Sequence, residues 1–201
     1  MSLKSFSVGA VIFALGSAAP AFATEYLTNG SFETGDFTGW TYATGGDPNF
    51  SGVVPSTVTY NGQGAQDGNY YALVGATTLD NASLSQSFVD TPNETLTITG
   101  WITGDGSEPS FVTFSFNGAA LLTVNPVPNE PWTQVTVTAT ATGNDIFSVG
   151  FGNDPFQDGL DNFSVSSVSG VPEPTTWALL LIGFAGLGLI RYRSLPRMRC
   201  C

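Results

Sequence analysis

Histidine is absent from this sequence of 201 residues, and its only two cysteines, Cys200 and Cys201, lie at the end of the chain. A chain without histidine has no Ser-His-Asp triad, and a body without cysteine has no Cys/His zinc site and no thiol nucleophile. Disulfides are excluded from the body for the same reason. Its stability must therefore come from packing and from any hard cation that oxygen atoms bind.

Positive charge is also scarce, because the chain has 5 basic and 16 acidic residues and a formal net charge of −11. Lys4 is the only basic residue before Arg191, so the long segment between them carries negative charge alone. Such a body cannot neutralise phosphate groups, which excludes nucleic acid as a partner. It is also repelled by anionic lipid, so any membrane contact must come from the chain ends.

The N-terminus has the three parts of a Sec-type signal peptide. Lys4 supplies the positive region, residues 6–15 supply the apolar core, and Ala21 and Ala23 flank one residue in a small-x-small cleavage site. We therefore predict a signal peptide over residues 1–23, cleavage after Ala23, and export through the Sec translocon.

A second apolar run, residues 175–190, lies near the C-terminus. Its length is close to the roughly 17–25 residues that span a bilayer as a helix. Arg191 and Arg193 begin a basic tail, residues 191–201, which the positive-inside rule places in the cytoplasm. These features predict one transmembrane helix that holds an exported precursor in the inner membrane. A plain membrane anchor explains them equally well.

The linker before that run, residues 167–174, ends in Val171, Pro172, Glu173 and Pro174. Proline on both sides of the glutamate prevents helix formation and keeps the backbone extended. Together with the glycine-containing apolar run and the arginine tail, this motif resembles the PEP-CTERM sorting signal of Gram-negative bacteria. The resemblance implies recognition and cleavage by an integral-membrane exosortase, and an association with exopolysaccharide and biofilm. The expected destination is the periplasm, the cell surface or the extracellular matrix.

The body, residues 24–166, consists of short runs rich in Thr, Val and Phe, separated by Gly, Asn, Asp and Pro. Many runs alternate apolar and polar residues, so that Phe114 and Phe116 share one face of their run, as do Val135 and Val137 of another. A period of two is typical of strands with one buried face. About nine such runs predict an all-β fold, a jelly-roll-like antiparallel β-sandwich.

Several segments of the body resemble, in order, galactose-binding-like carbohydrate-binding modules. They include "LTNGSFETGDFTGW" (27–40), "QDGNYYALVG" (66–75) and "FQDGLDNFSV" (156–165). The resemblance implies a structural calcium ion that joins the first strand to the last through Glu33 and Asp161, with Asp67 as a further ligand. The alternative is that these three are ordinary surface acids of an acidic body.

Glycan binding requires exposed aromatic rings that stack on sugars, and the candidate platforms are Tyr42, Tyr60 and Trp101. The alternative is that these rings belong to the core, since aromatic side chains fill the interiors of sandwiches.

Three functions compete for this chain. It is expected to be a non-catalytic surface or matrix protein that binds an extracellular polysaccharide, or a structural coat or adhesion protein without a small ligand. A small glycan-active enzyme that uses two carboxylates is the third. The body lacks His, Lys and Arg and shows no local pair of carboxylates, which favours the non-catalytic functions.

Overall fold

A computed structural model of the chain describes residues 23–44, 51–76, 82–168 and 183–184. Phe22–Ser169 forms one compact unit, while Met1–Ala21 and Gly170–Cys201 form another. In the second unit only Gly183 and Phe184 are described, and both are helical. The Pro-Glu-Pro motif, the basic tail, and nearly all of the predicted signal peptide and transmembrane helix lie outside the described residues. No helix among the described residues is long and apolar enough to cross a membrane.

The described residues of the body form antiparallel strands. In chain order they are β1 (Ala23–Glu25), β2 (Thr41–Ala43), β3 (Gly52–Pro55), β4 (Tyr70–Val74), β5 (Ala82–Val89), β6 (Thr95–Thr103), β7 (Ser110–Phe116), β8 (Ala119–Val124), β9 (Thr133–Thr140), β10 (Asn144–Asn153) and β11 (Asp158–Val168). Local sequence sets some of these bounds. Asn117 and Gly118, with φ of 50° and 78°, form the two-residue turn between β7 and β8, which is the Asn-Gly hairpin that strand twist favours.

The strands form two sheets. Sheet A has the order β3-β4-β11-β6-β9, and β1 pairs with the far end of β11. Sheet B has the order β2-β5-β10-β7-β8. The prediction of an all-β antiparallel sandwich is confirmed.

The core lies between the two sheets and follows the period of two that the sequence predicts. Val112, Phe114 and Phe116 of β7 are buried, and the residues between them are only partly covered. Phe163 of β11 lies at the centre, with its ring centroid 5.8 Å from that of Trp40 and 5.7 Å from that of Phe114. Burial of this aromatic cluster is the main stabilising contribution that this composition offers.

A bulge in β11 sets the direction of the side chains that follow Asp161. Asp161 pairs with Trp101 of β6, and the next pair is Ser164 with Thr99, so β11 has one extra residue between the two pairs. Such a bulge changes the direction of the side chains around it. Phe163 therefore enters the core while Asp161 lies on the outer surface of sheet A.

The segment between β3 and β4 covers this part of sheet A. The Trp132 ring lies 5.7 Å from the Tyr71 ring, and its Nε1 donates a hydrogen bond to the Gly64 carbonyl at 2.9 Å. The Tyr71 hydroxyl donates to the Val58 carbonyl at 3.0 Å. These contacts hold the segment over Asp161.

Candidate functional site

The outer surface of sheet B carries small hydroxyl side chains on its three central strands. The register places Ser85, Ser148 and Ser115 in one row across β5, β10 and β7. The next row contains Ser83, Gly150 and Thr113. We call these six residues, together with Phe111, the hydroxyl face.

A depression of about 320 Å³ lies on the hydroxyl face. Its lining residues are Ala82, Ser83, Phe111, Thr113, Ser115, Gly118, Ser148 and Gly150. Gly150 has no side chain, so the centre of the depression is open. A β-carbon built there would have its nearest neighbours at 3.9 Å. Phe111 also borders a second depression of about 480 Å³, together with Glu108, Pro109, Ser110 and Asn125.

The chemistry of the hydroxyl face is that of a binding surface. Hydroxyl groups both donate and accept hydrogen bonds, as the pair of Thr113 and Thr123 on neighbouring strands does at 2.9 Å. Phe111 is half-buried and adds an aromatic surface at one end. The residues that line the 320 Å³ depression include no charged side chain. The lining therefore offers polar contacts and ring contact, but no group for acid-base catalysis.

Asp161 is fully buried beneath the segment that covers sheet A. Its Oδ2 accepts hydrogen bonds from the backbone N–H groups of Gln66 and Asp67, at 2.7 and 3.0 Å, and its Oδ1 accepts one from Asn162 at 2.7 Å. Burial raises the pKa of Asp161 to about 7, although these three backbone bonds oppose the increase.

Glu33 binds the same segment a few residues further along. Its Oε1 accepts hydrogen bonds from the backbone N–H groups of Asn69 and Tyr70, at 2.8 and 2.9 Å. Between the two acids lies Gly68, with φ of 64°, where a β-carbon would lie 2.4 Å from the Glu33 carboxyl carbon. We call Glu33, Asp161 and the backbone of residues 66–70 the carboxylate clasp.

The clasp contains the residues predicted to bind calcium, since Glu33, Asp161 and Asp67 all belong to it. However, Asp67 takes part through its backbone N–H, and the oxygens of the other two carboxylates face N–H groups. Among the described residues no group of three or more His, Cys, Asp or Glu side chains is arranged to hold a metal ion. This donor set does not fit a shared ion as it stands, and calcium binding at the clasp stays a prediction.

The three predicted aromatic platforms lie in different parts of the body. The Tyr42 ring is 5.5 Å from the Phe37 ring and stacks on Phe151 at 6.4 Å, so it packs against the core. The Tyr60 hydroxyl is buried. Trp101 is half-buried on the outer surface of sheet A, where it pairs with Asp161. The structure does not bring these rings together, and their role as platforms stays a prediction.

Sequence reasoning missed the hydroxyl face, because each of its residues looks like the ordinary solvent side of a strand. The available signal was the Ser and Thr at alternate positions of β5 and β7 and the single Ser148 of β10. Only the strand order makes these three strands neighbours.

Comparison with solved structures identifies the same fold in other proteins. The carbohydrate-binding module TmCBM61, solved in complex with β-1,4-galactotriose, is 21% identical with a TM-score of 0.57, over 71% of this chain and 97% of that chain. The CBM22-1 xylan-binding domain from Paenibacillus barcinonensis Xyn10C is 19% identical with a TM-score of 0.52, over 77% and 99%.

A third similar structure is the enzymatically active domain of tailspike protein 4 from bacteriophage CBA120. It is 15% identical with a TM-score of 0.51, over 72% of this chain and 21% of that chain. No family model matches this sequence, and the comparison with curated proteins finds no match. At these identities the structural matches show the fold. The predicted resemblance of the body to carbohydrate-binding modules is confirmed at that level.

Proposed function

We propose that this chain is an exported, non-catalytic protein of the cell surface or extracellular matrix that binds a glycan on the hydroxyl face. The observation that carries the proposal is the uncharged depression bordered by Ser148, Thr113 and Phe111. Sugars present hydroxyl groups and apolar ring faces, which the serine and threonine hydroxyls and the phenylalanine ring complement. The likeness to modules solved with galactotriose or described as xylan-binding supports this choice.

A catalytic role has less support in the described residues. Acidic groups with strongly shifted pKa values often mark active sites, and burial raises the pKa of both Asp158 and Asp161 to about 7. Both side chains are fully buried, however, so neither contacts a glycan on the surface. The small carboxylate-dependent enzyme is therefore the weakest of the three functions.

The hydroxyl face is tested by affinity electrophoresis of the full-length chain through gels that contain β-1,4-galactan, xylan or the exopolysaccharide of the host bacterium. We expect retardation by at least one polymer. Ser148→Arg, which fills the depression, should abolish the retardation, and Phe111→Ala should weaken it several-fold. Thr138→Arg is the matched control, because it adds the same charge to an exposed position on β9 of sheet A. Absence of retardation on every polymer, or equal retardation of Ser148→Arg and Thr138→Arg, would contradict the proposal.

The route to the surface is the second part of the proposal. The sequence of the two chain ends supports export through the Sec translocon, temporary anchoring in the inner membrane, and cleavage by an exosortase at Val171–Pro174. Mass spectrometry of the surface protein should find a C-terminus near Pro174. Replacement of Pro172, Glu173 and Pro174 with alanine should trap the full-length chain in the inner membrane. A surface protein that still ends at Cys201 would contradict this route.

A structural coat protein is the second candidate function, and one observation favours it. β8 and β9 are edge strands of 6 and 8 residues that contain no charged residue and no proline. Uncharged edges of this kind pair readily with another strand. Sedimentation velocity at increasing salt tests this candidate, since salt screens the repulsion between acidic copies. Self-association that Thr136→Lys prevents would support a coat protein.

A further inference from the structure

One end of the core is closed by polar side chains. Asn153 ends β10 and pairs with Ser110 of β7, while Asp158 begins β11. The side chains of all three lie on the inner faces of the sheets, in line with core residues such as Phe151 and Leu160. Asn153 and Asp158 are 0% exposed.

Two oxygen atoms at this end of the core have no hydrogen-bond partner among the described residues. Asn153 Nδ2 donates to Asp158 Oδ1 at 2.9 Å and to the Gln157 carbonyl at 3.2 Å. Asp158 Oδ2 and Asn153 Oδ1 are both buried and accept no hydrogen bond of ordinary geometry, although the Ser110 hydroxyl is close enough to lower the pKa of Asp158. Buried polar atoms are nearly always paired, so two such oxygens on adjacent side chains indicate that something else contacts them.

The backbone beside these side chains adds another oxygen. A β-carbon built at Gly104 would lie 2.8 Å from Asp158 Oδ1 and 2.8 Å from the Val127 carbonyl oxygen. Val127 is itself fully buried. The carboxylate and this carbonyl therefore lie close together against the glycine.

No cationic side chain is available to Asp158, because the sequence contains no Lys or Arg from residue 5 to residue 190. An unpaired buried carboxylate is costly, by several kcal/mol after relaxation, and its charge must be removed by protonation or balanced by a cation. Burial, together with the nearby charge of Asp105, raises the pKa of Asp158 to about 7, although hydrogen bonds from Asn153 and Ser110 oppose the increase.

We propose that Asp158 and Asn153, with the carbonyl of Val127, bind a hard cation at this end of the core. A carboxylate, an amide oxygen and a backbone carbonyl are the ligands that calcium prefers, and the part of the chain that the structure describes contains no histidine or cysteine to bind softer metals. The site is separate from the carboxylate clasp. In the clasp, Asp161 Oδ2 and Glu33 Oε1 already accept hydrogen bonds from backbone N–H groups of the loop.

Calorimetric titration of the full-length chain with calcium chloride tests the site, with thermal melting in the same buffers as a second measurement. We expect one bound calcium ion and a higher melting temperature in its presence. Asp158→Asn, which keeps the shape of the side chain, should weaken binding at least about tenfold. Asn153→Asp adds a second carboxylate and should tighten binding at pH 8 while it lowers the stability of the calcium-free chain.

Glu130→Gln is the matched control, because it removes a carboxylate charge from an exposed position and should leave calcium affinity unchanged. The proposal is overturned if the wild type binds no calcium, or if Asp158→Asn binds it as tightly as the wild type. It is also overturned if Glu33→Gln alone removes binding, since the ion would then belong to the clasp. If Asp158→Asn does not fold, Asn153→Asp tests the site independently. Unchanged calcium affinity of Asn153→Asp would contradict the proposal.

Discussion

Asp158 and Asp161 lie three residues apart on β11, and both are fully buried. Burial is the largest cause of the increase in pKa for both, to about 7 in each case. Their partners differ, because Asp161 accepts three backbone N–H groups while Asp158 receives an amide hydrogen bond and keeps one oxygen unpaired. A raised pKa therefore shows that a carboxylate is buried. Only its hydrogen-bond donors show whether both of its oxygens are paired.

Their spacing of three residues explains the difference, because successive side chains of a strand point to opposite faces of the sheet and the register from Asp158 to Asp161 is continuous. Asp158 lies on the inner face of sheet A, where the neighbours are apolar or polar side chains of the core end. Asp161 lies on the outer face, beneath a loop whose backbone supplies N–H groups. We therefore propose different roles for the two residues. Asp161 stabilises the loop, and Asp158 binds a cation.

The largest expected effect is that of Asp161→Ala. The variant leaves the N–H groups of Gln66, Asp67 and Asn162 without their acceptor in a buried position, at roughly 1–3 kcal/mol for each unsatisfied group. We expect a loss of about 4 kcal/mol in the free energy of unfolding, measured with urea. Glu130→Ala, at an exposed acid, should change it by less than about 0.5 kcal/mol. Equal effects of the two variants would show that the clasp contributes nothing.

Gly68→Ala should have the next largest effect, because the new β-carbon meets the Glu33 carboxylate at 2.4 Å and φ is positive. We expect a loss of about 2–3 kcal/mol. Gly62→Ala separates the two causes, since φ there is 74° but nothing lies within 4 Å of the new atom. Its loss should be close to the roughly 1 kcal/mol of left-handed strain alone. If Gly68→Ala and Gly62→Ala lose the same free energy of unfolding, the contact with Glu33 contributes nothing to the effect.

The pH dependence of stability is the third test, performed without divalent cations. A carboxyl group whose pKa is higher in the folded state than its ordinary value of 3.8 binds protons more tightly when folded. Its contribution is therefore fully present below pH 3.8 and is lost as the pH rises towards 7. We expect Asp158→Asn to remove about 1–2 kcal/mol of the decrease in stability between pH 5 and pH 8. A slope equal to that of the wild type would contradict the burial of an ionisable Asp158.

Chelation is expected to have the smallest effect. The calcium ion proposed at Asp158 would stabilise the folded chain, so EDTA should lower the melting temperature by a few degrees. Glu33→Gln should remove this sensitivity if the ion is in the clasp, and Asp158→Asn should remove it if the ion is at the core end. A wild-type melting temperature that EDTA does not change contradicts both sites.

The sequence predicts the sandwich well because strand burial has a period of two that can be read locally, as in β7 and β9. Glu33 and Asp161, which the resemblance to carbohydrate-binding modules implies as joint ligands, both accept N–H groups of the loop between β3 and β4, and their role as ligands stays a prediction. The sequence does not reveal that their oxygens face backbone N–H groups, because those donors belong to a loop that is distant in sequence.

Two other features depend on contacts between strands that are distant in sequence, and the sequence alone does not predict them. Tyr42 faces the core because it pairs with the buried Leu84 of β5, and residue type alone does not give this orientation. Asp158 is buried because β11 begins on the inner face of sheet A beside Asn153. In a body with so many acids, nothing in the sequence distinguishes this one from its exposed neighbours.

The pairing of β1 with the far end of β11 has a consequence for processing. Ala23 lies opposite Val168, so the chain enters and leaves the body side by side. The two proposed cuts would therefore fall at the first residue of β1 and a few residues after the end of β11. Cleavage after Ala23 removes one of the three pairs of β1, and cleavage near Pro174 removes none of the described strands. If both proposed cuts occur, the strands that form the core and the hydroxyl face remain.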